Sequence, residues 1–215
     1  MPRLLTFGDS NTFGTPPADV YAEGQRLPEG ARWPQVCAQA LGQAGVAWDL
    51  VEQGLPGRTT GLPDPLMGPH MDGRIGLFIA LESCGPIDAV TLMLGTNDFK
   101  TQFDSPAQDI AARMAFLIEV CLSEEMQNRH GGFECFLICP PAVTDNPEFS
   151  GAGEKSRLLA RLYASLAEQY DIPFLDAGMH ITVSDIDGVH FDGAAHATLG
   201  KAVAAHILDE IEQPS

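Results

Sequence analysis

Short, mostly apolar runs recur along the chain, separated by longer stretches in which apolar positions return every three or four residues. The runs at residues 3–7, 48–52, 89–94, 133–139 and 172–175 predict strands, and their near-continuous apolar character is that of strands covered on both faces. The stretches at 33–43, 74–83, 107–123, 154–170 and 197–211 predict helices. In the fourth of these, Leu158, Leu159, Leu162, Tyr163 and Leu166 fall on one stripe. A regular alternation of strand and helix predicts a parallel sheet with right-handed crossovers and helices on both faces. No repeat, low-complexity segment or linker divides the 215 residues, a length that suits one well-buried unit, so residues 1–215 are expected to form a single three-layer α/β/α domain.

That architecture dictates where chemistry should lie, because open parallel sheets bind ligands beyond the carboxyl ends of their strands. Gly8-Asp9-Ser10-Asn11 follows the first strand, Gly54 the second, and Gly95-Thr96-Asn97-Asp98 the third, while Asp187 to His190 lies between the last strand and the last helix. A serine hydroxyl is a weak nucleophile until a neighbouring base takes its proton. Ser10 is placed for that role behind a glycine that allows a tight turn, although Asp9, Ser10 and Asn11 are also favoured helix caps. His190 is the candidate base. Asp187, three residues earlier on a tight turn, can reach one of its ring nitrogens, fix the tautomer and stabilise the imidazolium. Acyl transfer also needs donors for the oxyanion: the backbone N–H of Ser10, the backbone N–H of Gly54, and the side-chain amide of Asn97 are candidates. Asn11, Thr96 and Val189 flank these residues and are expected to line the pocket.

Composition narrows the partners. Twelve Lys and Arg against 29 Asp and Glu give a net charge of −17, a surface that repels phosphate backbones and anionic headgroups, so neither nucleic acid nor a membrane surface is expected as partner. The five cysteines include no CxxC pair and suggest neither a disulfide framework nor a zinc knuckle. Asp185, Asp187, His190, Asp192 and His196 cluster in sequence, but no second cluster supplies matching ligands and there is no HExxH, so no metal is expected. His70, His130, His180, His196 and His206 are assigned packing or solvated roles. Residues 3–7 run straight into Gly8-Asp9-Ser10, leaving no room for a leader peptide, and no apolar run reaches the ~20 residues of a membrane span; a cytoplasmic place is expected.

The four blocks, in order, resemble the SGNH branch of the GDSL hydrolases, in which each block contributes one invariant residue: here Ser10, Gly54, Asn97 and His190. A closer resemblance, to the bacterial arylesterase and acyltransferase subgroup, rests on Arg32-Trp33-Pro34, Glu52-Gln53-Gly54-Leu55-Pro56-Gly57-Arg58-Thr59-Thr60, Met93-Leu94-Gly95-Thr96-Asn97-Asp98, Leu159-Ala160-Arg161-Leu162-Tyr163 and Phe174-Leu175-Asp176-Ala177-Gly178. The resemblance implies a flavodoxin-like five-stranded parallel sheet, a serine esterase acting on short-chain, acetyl-type esters including aryl esters, no cofactor, and a homo-oligomer. Two departures stand out: Asn11 where the subgroup usually has leucine, and Phe13 where it often has tryptophan. Asn11 is expected to make the pocket floor more polar, and acyl transfer to alcohols in water depends on a dry entrance, so hydrolysis is the expected outcome. Deacetylation of O-acetylated sugars, thioester hydrolysis and acyl transfer keep the same chemistry with other substrates; a non-catalytic binding module is disfavoured because every catalytic position is filled.

Overall fold

The computed structural model describes residues 1–18, 25–103 and 105–212. Strands β1 (Arg3–Gly8), β2 (Asp49–Gly54), β3 (Ala89–Met93), β4 (Glu134–Cys139) and β5 (Phe174–Asp176) form one parallel sheet in the order β2-β1-β3-β4-β5. This is the order of flavodoxin-like doubly wound sheets. The helices are α1 (Ser10–Phe13), α2 (Trp33–Gln43), α3 (Gly73–Ser83), α4 (Ala107–Leu122), α5 (Glu124–His130), α6 (Ala152–Ser156), α7 (Leu159–Tyr170) and α8 (Gly193–Glu212).

Alternation along each central strand feeds two cores. Leu5, Phe7, Val90, Leu92, Cys135 and Leu137 pack with α3, α4 and α7, through residues such as Leu77, Ile110, Met114 and Tyr163. Leu4, Ala89, Met93, Phe136 and Ile138 point the other way, against Trp33, Cys37 and Leu41 of α2 and Leu199, Val203 and Ile207 of α8. Both faces are therefore buried, which is why these strands read as continuous apolar runs. All five cysteines are free thiols, and among the described residues no helix is long and apolar enough to cross a membrane.

Three differences from the sequence reading have local causes. The predicted helix 154–170 divides into α6 and α7: the Ser156 hydroxyl accepts a bond from Val143 N–H at 3.2 Å, tying α6 to the loop after β4. Leu158, at the break, is 47% exposed, and the buried stripe of α7 is Leu159, Tyr163 and Ala167. Helix α8 starts at Gly193 rather than 197 because Asp192 caps it, its carboxylate accepting from Ala195 N–H at 2.8 Å. Helix α5 was not anticipated; Ser123 caps its start and Gly131 its end, but it buries only Met126 and His130, too few apolar positions to show a period.

Candidate active site

The carboxyl ends of β1, β2 and β3 are neighbours, with Gly8 level with Gly54 on one side and Met93 on the other. Asp9 caps α1, accepting from Asn11 N–H at 2.9 Å, and the Asp9 carbonyl takes the N–H groups of Thr12 and Phe13. The chain thus reverses just past β1 and leaves Ser10 at the strand end. Gly54 makes room for that reversal. A Cβ there would fall 2.2 Å from the Phe13 nitrogen and 2.7 Å from the Thr12 carbonyl carbon, so a side chain at this position would displace the Ser10 turn.

The segment between β5 and α8 brings His190 onto Ser10. Its Nε2 stands 3.1 Å from Ser10 Oγ and its Nδ1 2.8 Å from Asp187 Oδ2. Asp187 Oδ1 accepts the N–H groups of Val189 at 3.0 Å and His190 at 2.9 Å, and Ala18 N–H reaches Oδ2 at 3.1 Å. Burial pushes the Asp187 carboxyl up, but the bonds from the His190 ring and from the His190 and Val189 N–H groups outweigh it and hold the pKa down to about 2. The carboxylate is therefore ionised wherever the histidine works as a base. Gly188 closes the turn at φ +73°, and Thr144 Oγ1 would lie 1.9 Å from any Cβ added there. Thr144 N–H donates to the Gly188 carbonyl at 2.9 Å and Asn146 Nδ2 to the Asp187 carbonyl at 2.9 Å, so the loop after β4 braces the histidine turn. A hydroxyl, an imidazole and a carboxylate in series can pass the hydroxyl proton to the ring as the oxygen attacks an electrophile.

Asn11 does something other than the sequence reading expects. Its Nδ2 donates to the Val189 carbonyl at 3.1 Å and its Oδ1 accepts from Phe191 N–H at 3.2 Å, with the residue only 1% exposed. Its polar atoms bracket His190 on both sides of the backbone and are not turned into a pocket floor. The leucine usual in the subgroup has no polar atoms with which to make either bond.

Asn97 opens a single 3-10 turn (Asn97–Phe99) after β3 and is 4% exposed. One hydrogen of its amide goes to the Arg58 carbonyl at 3.1 Å, which orients the group and leaves the second hydrogen available to a ligand. Thr96, 3% exposed, precedes it. Asp98 next to it is fully buried, accepting Thr60 N–H at 2.9 Å and the Thr60 hydroxyl at 2.5 Å, with Arg113 at 3.4 Å. Burial raises the pKa of Asp9 to about 6, against the lowering effects of the Asn11 N–H, His190 and Arg58. Neither Thr144 nor Asn146 was singled out from sequence, since loop polar residues of that kind carry no spacing signal; Arg58 stood in a recognised string without a role.

The remaining histidines with partners are structural. His196 is fully buried, accepts Trp33 N–H on Nδ1 at 3.2 Å and is pushed by burial down to about 4. His130 accepts Ile87 N–H at 3.2 Å. Among the described residues no three His, Cys, Asp or Glu side chains converge to hold a metal ion.

Comparison with known proteins identifies the family and the fold. The model of the GDSL-like lipase/acylhydrolase family matches residues 6–198. An aryl esterase of M. smegmatis, in its inhibitor-bound form, is 34% identical and superposes with a TM-score of 0.89 over 97% of this chain and 99% of that one. Est24, a carbohydrate acetylesterase from Sinorhizobium meliloti, is 32% identical with a TM-score of 0.90 over 97% and 99%. A second carbohydrate acetylesterase family member from Sinorhizobium meliloti is 27% identical with a TM-score of 0.84 over 99% and 100%. No curated protein matches the chain in sequence. The family match spans everything from the middle of β1 into α8, including all four strand-end blocks, and on that ground the chain belongs to the GDSL-like lipase/acylhydrolase family.

Proposed function

We propose that the protein is a serine esterase that hydrolyses short-chain, acetyl-type carboxylic esters, aryl esters among them, through an acyl-enzyme on Ser10. The observation that carries the reading is the unbroken relay from Ser10 Oγ through His190 to Asp187. His190 takes the Ser10 proton as Oγ attacks the ester carbon, and Asp187 orients the ring. The N–H group of Ser10 and the free amide hydrogen of Asn97 receive the oxyanion. Gly54, whose neighbour Leu55 turns its N–H to the Gly8 carbonyl on β1, has its own N–H directed away from Ser10 and serves the turn through its missing side chain. His190 then protonates the leaving alcohol and activates water to release the acid. Thr96 and Val189 border the acyl group, while Asn11 acts through the His190 backbone. No step needs a cofactor.

The solved relatives favour two substrate readings within this chemistry: an aryl esterase, and a carbohydrate acetylesterase that would make O-acetylated sugars the natural esters. The proposal also carries a cytoplasmic place and a homo-oligomer. Assembly is supported by the exposed apolar side chains Ile75, Phe78 and Ile79 on α3 and Phe116 on α4. A p-nitrophenyl ester series from acetate to octanoate, followed by acetylated xylo-oligosaccharides, tests the function. Activity falling steeply beyond short acyl groups is expected, with Ser10→Ala and His190→Ala each lowering kcat by about 10⁴-fold or more and the double variant losing no more than either alone. Near-normal rates in a folded Ser10→Ala variant would refute the reading.

A further inference from the structure

Thr15-Pro16-Pro17-Ala18 leaves the Ser10 turn and reaches the far end of the relay. Its start is tied to the nucleophile: the N–H groups of Gly14 and Thr15 both donate to the Ser10 carbonyl, at 2.8 and 2.9 Å. Its end is tied to the acid, because Ala18 N–H donates to Asp187 Oδ2 at 3.1 Å. Among the described residues the Asp187 carboxylate accepts four hydrogen bonds, and this is the one that comes from outside its own turn. It falls on the same oxygen that receives His190 Nδ1 at 2.8 Å. The two donors on Oδ1, the N–H groups of Val189 and His190, belong to the turn and move with it. A hydrogen bond to an ionised carboxylate is stronger than one between neutral groups, so the Ala18 tie is a firm one.

The stretch between these ties is short and stiff. Proline fixes its own φ and pushes the residue before it to extended backbone, so Thr15 and Pro16 are confined and Pro17 keeps one free dihedral. Three residues of extended, proline-type backbone cover about 9 Å. That length is comparable to the two hydrogen bonds and the imidazole ring that separate Ser10 from the Asp187 carboxylate. The base of the stretch is clamped. Gly14 turns the chain at φ +90°, and a Cβ there would fall 2.4 Å from Arg32 Cδ. Arg32, 6% exposed, grips Glu52 with two nitrogens at 2.9 and 3.0 Å and donates to the Leu27 carbonyl at 2.9 Å. Leu27 N–H in turn donates to the Gly14 carbonyl at 2.7 Å. We propose that residues 15–18 are a strut that sets the reach of the triad: anchored on the Ser10 carbonyl, it delivers the Ala18 N–H to Asp187 Oδ2 and so holds the carboxylate, and through it the His190 ring, at the distance the relay needs. This rests on the esterase reading above. Ala18 is a positioning residue and acts through Asp187.

A strut and a merely packed loop differ in what their loss changes. Ala18→Pro removes the N–H and no other polar group, whereas Ala18→Ser keeps it. Pro16→Gly combined with Pro17→Gly keeps the N–H but lets its carrier flex. The variants are assayed on p-nitrophenyl acetate below their thermal midpoints and normalised to folded protein. Ala18→Pro is expected to lose ~10–100-fold in kcat with KM little changed, and the glycine pair ~3–10-fold, since small misplacements of a catalytic group are costly. Ala18→Ser should recover most of the Ala18→Pro loss. Phenylboronic acid, whose serine adduct mimics the tetrahedral state, gives a second readout. In its complex the low-field proton resonance of His190 Nδ1–H should shift in Ala18→Pro and not in Ala18→Ser, because Oδ2 has lost the other donor it shared. Normal kcat or an unmoved resonance in folded Ala18→Pro, while His190→Ala is inactive, overturns the strut and leaves the esterase reading standing. No ester hydrolysis by the unaltered protein overturns both. A measurement on the unaltered protein covers the case in which Ala18→Pro does not fold. The Ala18 amide is expected to exchange with solvent ~100-fold or more slowly than a free peptide, and to shift when phenylboronic acid binds. An Ala18 amide that exchanges at the free rate, or stays fixed on binding, overturns the proposal.

Discussion

Replacing Asn11 with leucine separates two uses of one side chain. The substitution removes the donor to the Val189 carbonyl and the acceptor of Phe191 N–H, leaving both groups buried beside His190. Two unsatisfied buried polar groups together cost about 2–6 kcal/mol, and burying the leucine returns about 1–2 kcal/mol, so a net loss centred near about 2.5 kcal/mol follows. For a chain of this size each kcal/mol moves the thermal midpoint by about 2–4 °C, and a fall of about 5–10 °C is expected. The effect on rate comes from the histidine. General-base catalysis contributes about 10²–10⁴-fold and depends on the ring standing within reach of Ser10, now 3.1 Å away. Loosening the backbone on both sides of His190 should forfeit part of that, about 10–100-fold in kcat.

The assay is kcat and KM on p-nitrophenyl acetate and butyrate, with the thermal midpoint measured in parallel. If Asn11 supports His190, kcat falls for both esters by the same factor and KM barely moves. If Asn11 instead forms the pocket floor, as its position beside Ser10 suggests in the sequence, the leucine should change KM and the preference between acetate and butyrate while kcat for the better ester holds. That second pattern would refute the reasoning.

Two further expectations follow from the same geometry. Asp98→Ala strands the Thr60 N–H in the interior and takes its carboxylate partner from Arg113, and should destabilise by about 3–5 kcal/mol in urea denaturation, yet keep kcat and KM of the folded fraction close to normal. This is the reverse of Asn97→Ala, which should lose ~100–1,000-fold in kcat with the fold intact. Asp187 has a folded pKa of about 2 against an ordinary 3.8, so its contribution is present above pH 4 and is lost as pH falls toward 2. Urea midpoints should therefore show up to about 2 kcal/mol of acid-side loss in the wild type that Asp187→Asn lacks, and parallel pH profiles for the two would contradict the low value.

The central strands were legible because burial on both faces leaves uninterrupted apolar runs, and the site blocks were legible because a doubly wound sheet puts its chemistry at strand ends. What escaped was set by pairings distant in sequence. Asn11 reads as a polar residue next to a nucleophile; only the approach of a segment 178 to 180 residues away makes it a clamp. Arg58 reads as a loop cation, conventionally solvent-facing, and Thr144 and Asn146 as ordinary loop residues. The split at Ser156 was hidden for a similar reason, since the hydroxyl's partner, Val143, is 13 residues back in another loop. Local pattern fixes which face is buried. It does not say which polar group will be taken inside.

Those buried polar groups are concentrated where the site is. Asp9, Asn11, Arg58, Asn97 and Asp98 are each 5% exposed or less, and they occupy the ends of β1, the turn after β2 and the turn after β3. Burial pushes Asp9 up to about 6 and Arg58 down to about 10, and each partly relieves the other. A fold selected for stability alone would place apolar side chains of similar volume here, since a buried charge rarely outperforms them. The benefit lies instead in geometry: donors held by bonds that are already made need no reorganisation when charge appears on the substrate. Relieving the burden on Asp9 by Asp9→Asn, which keeps the cap on α1, should therefore raise stability near neutral pH. The same charge stabilises the His190 imidazolium that forms during attack, since the two groups interact across the turn. The kcat on p-nitrophenyl acetate is therefore expected to fall while the thermal midpoint rises, and an unchanged kcat would remove Asp9 from the electrostatics of the reaction.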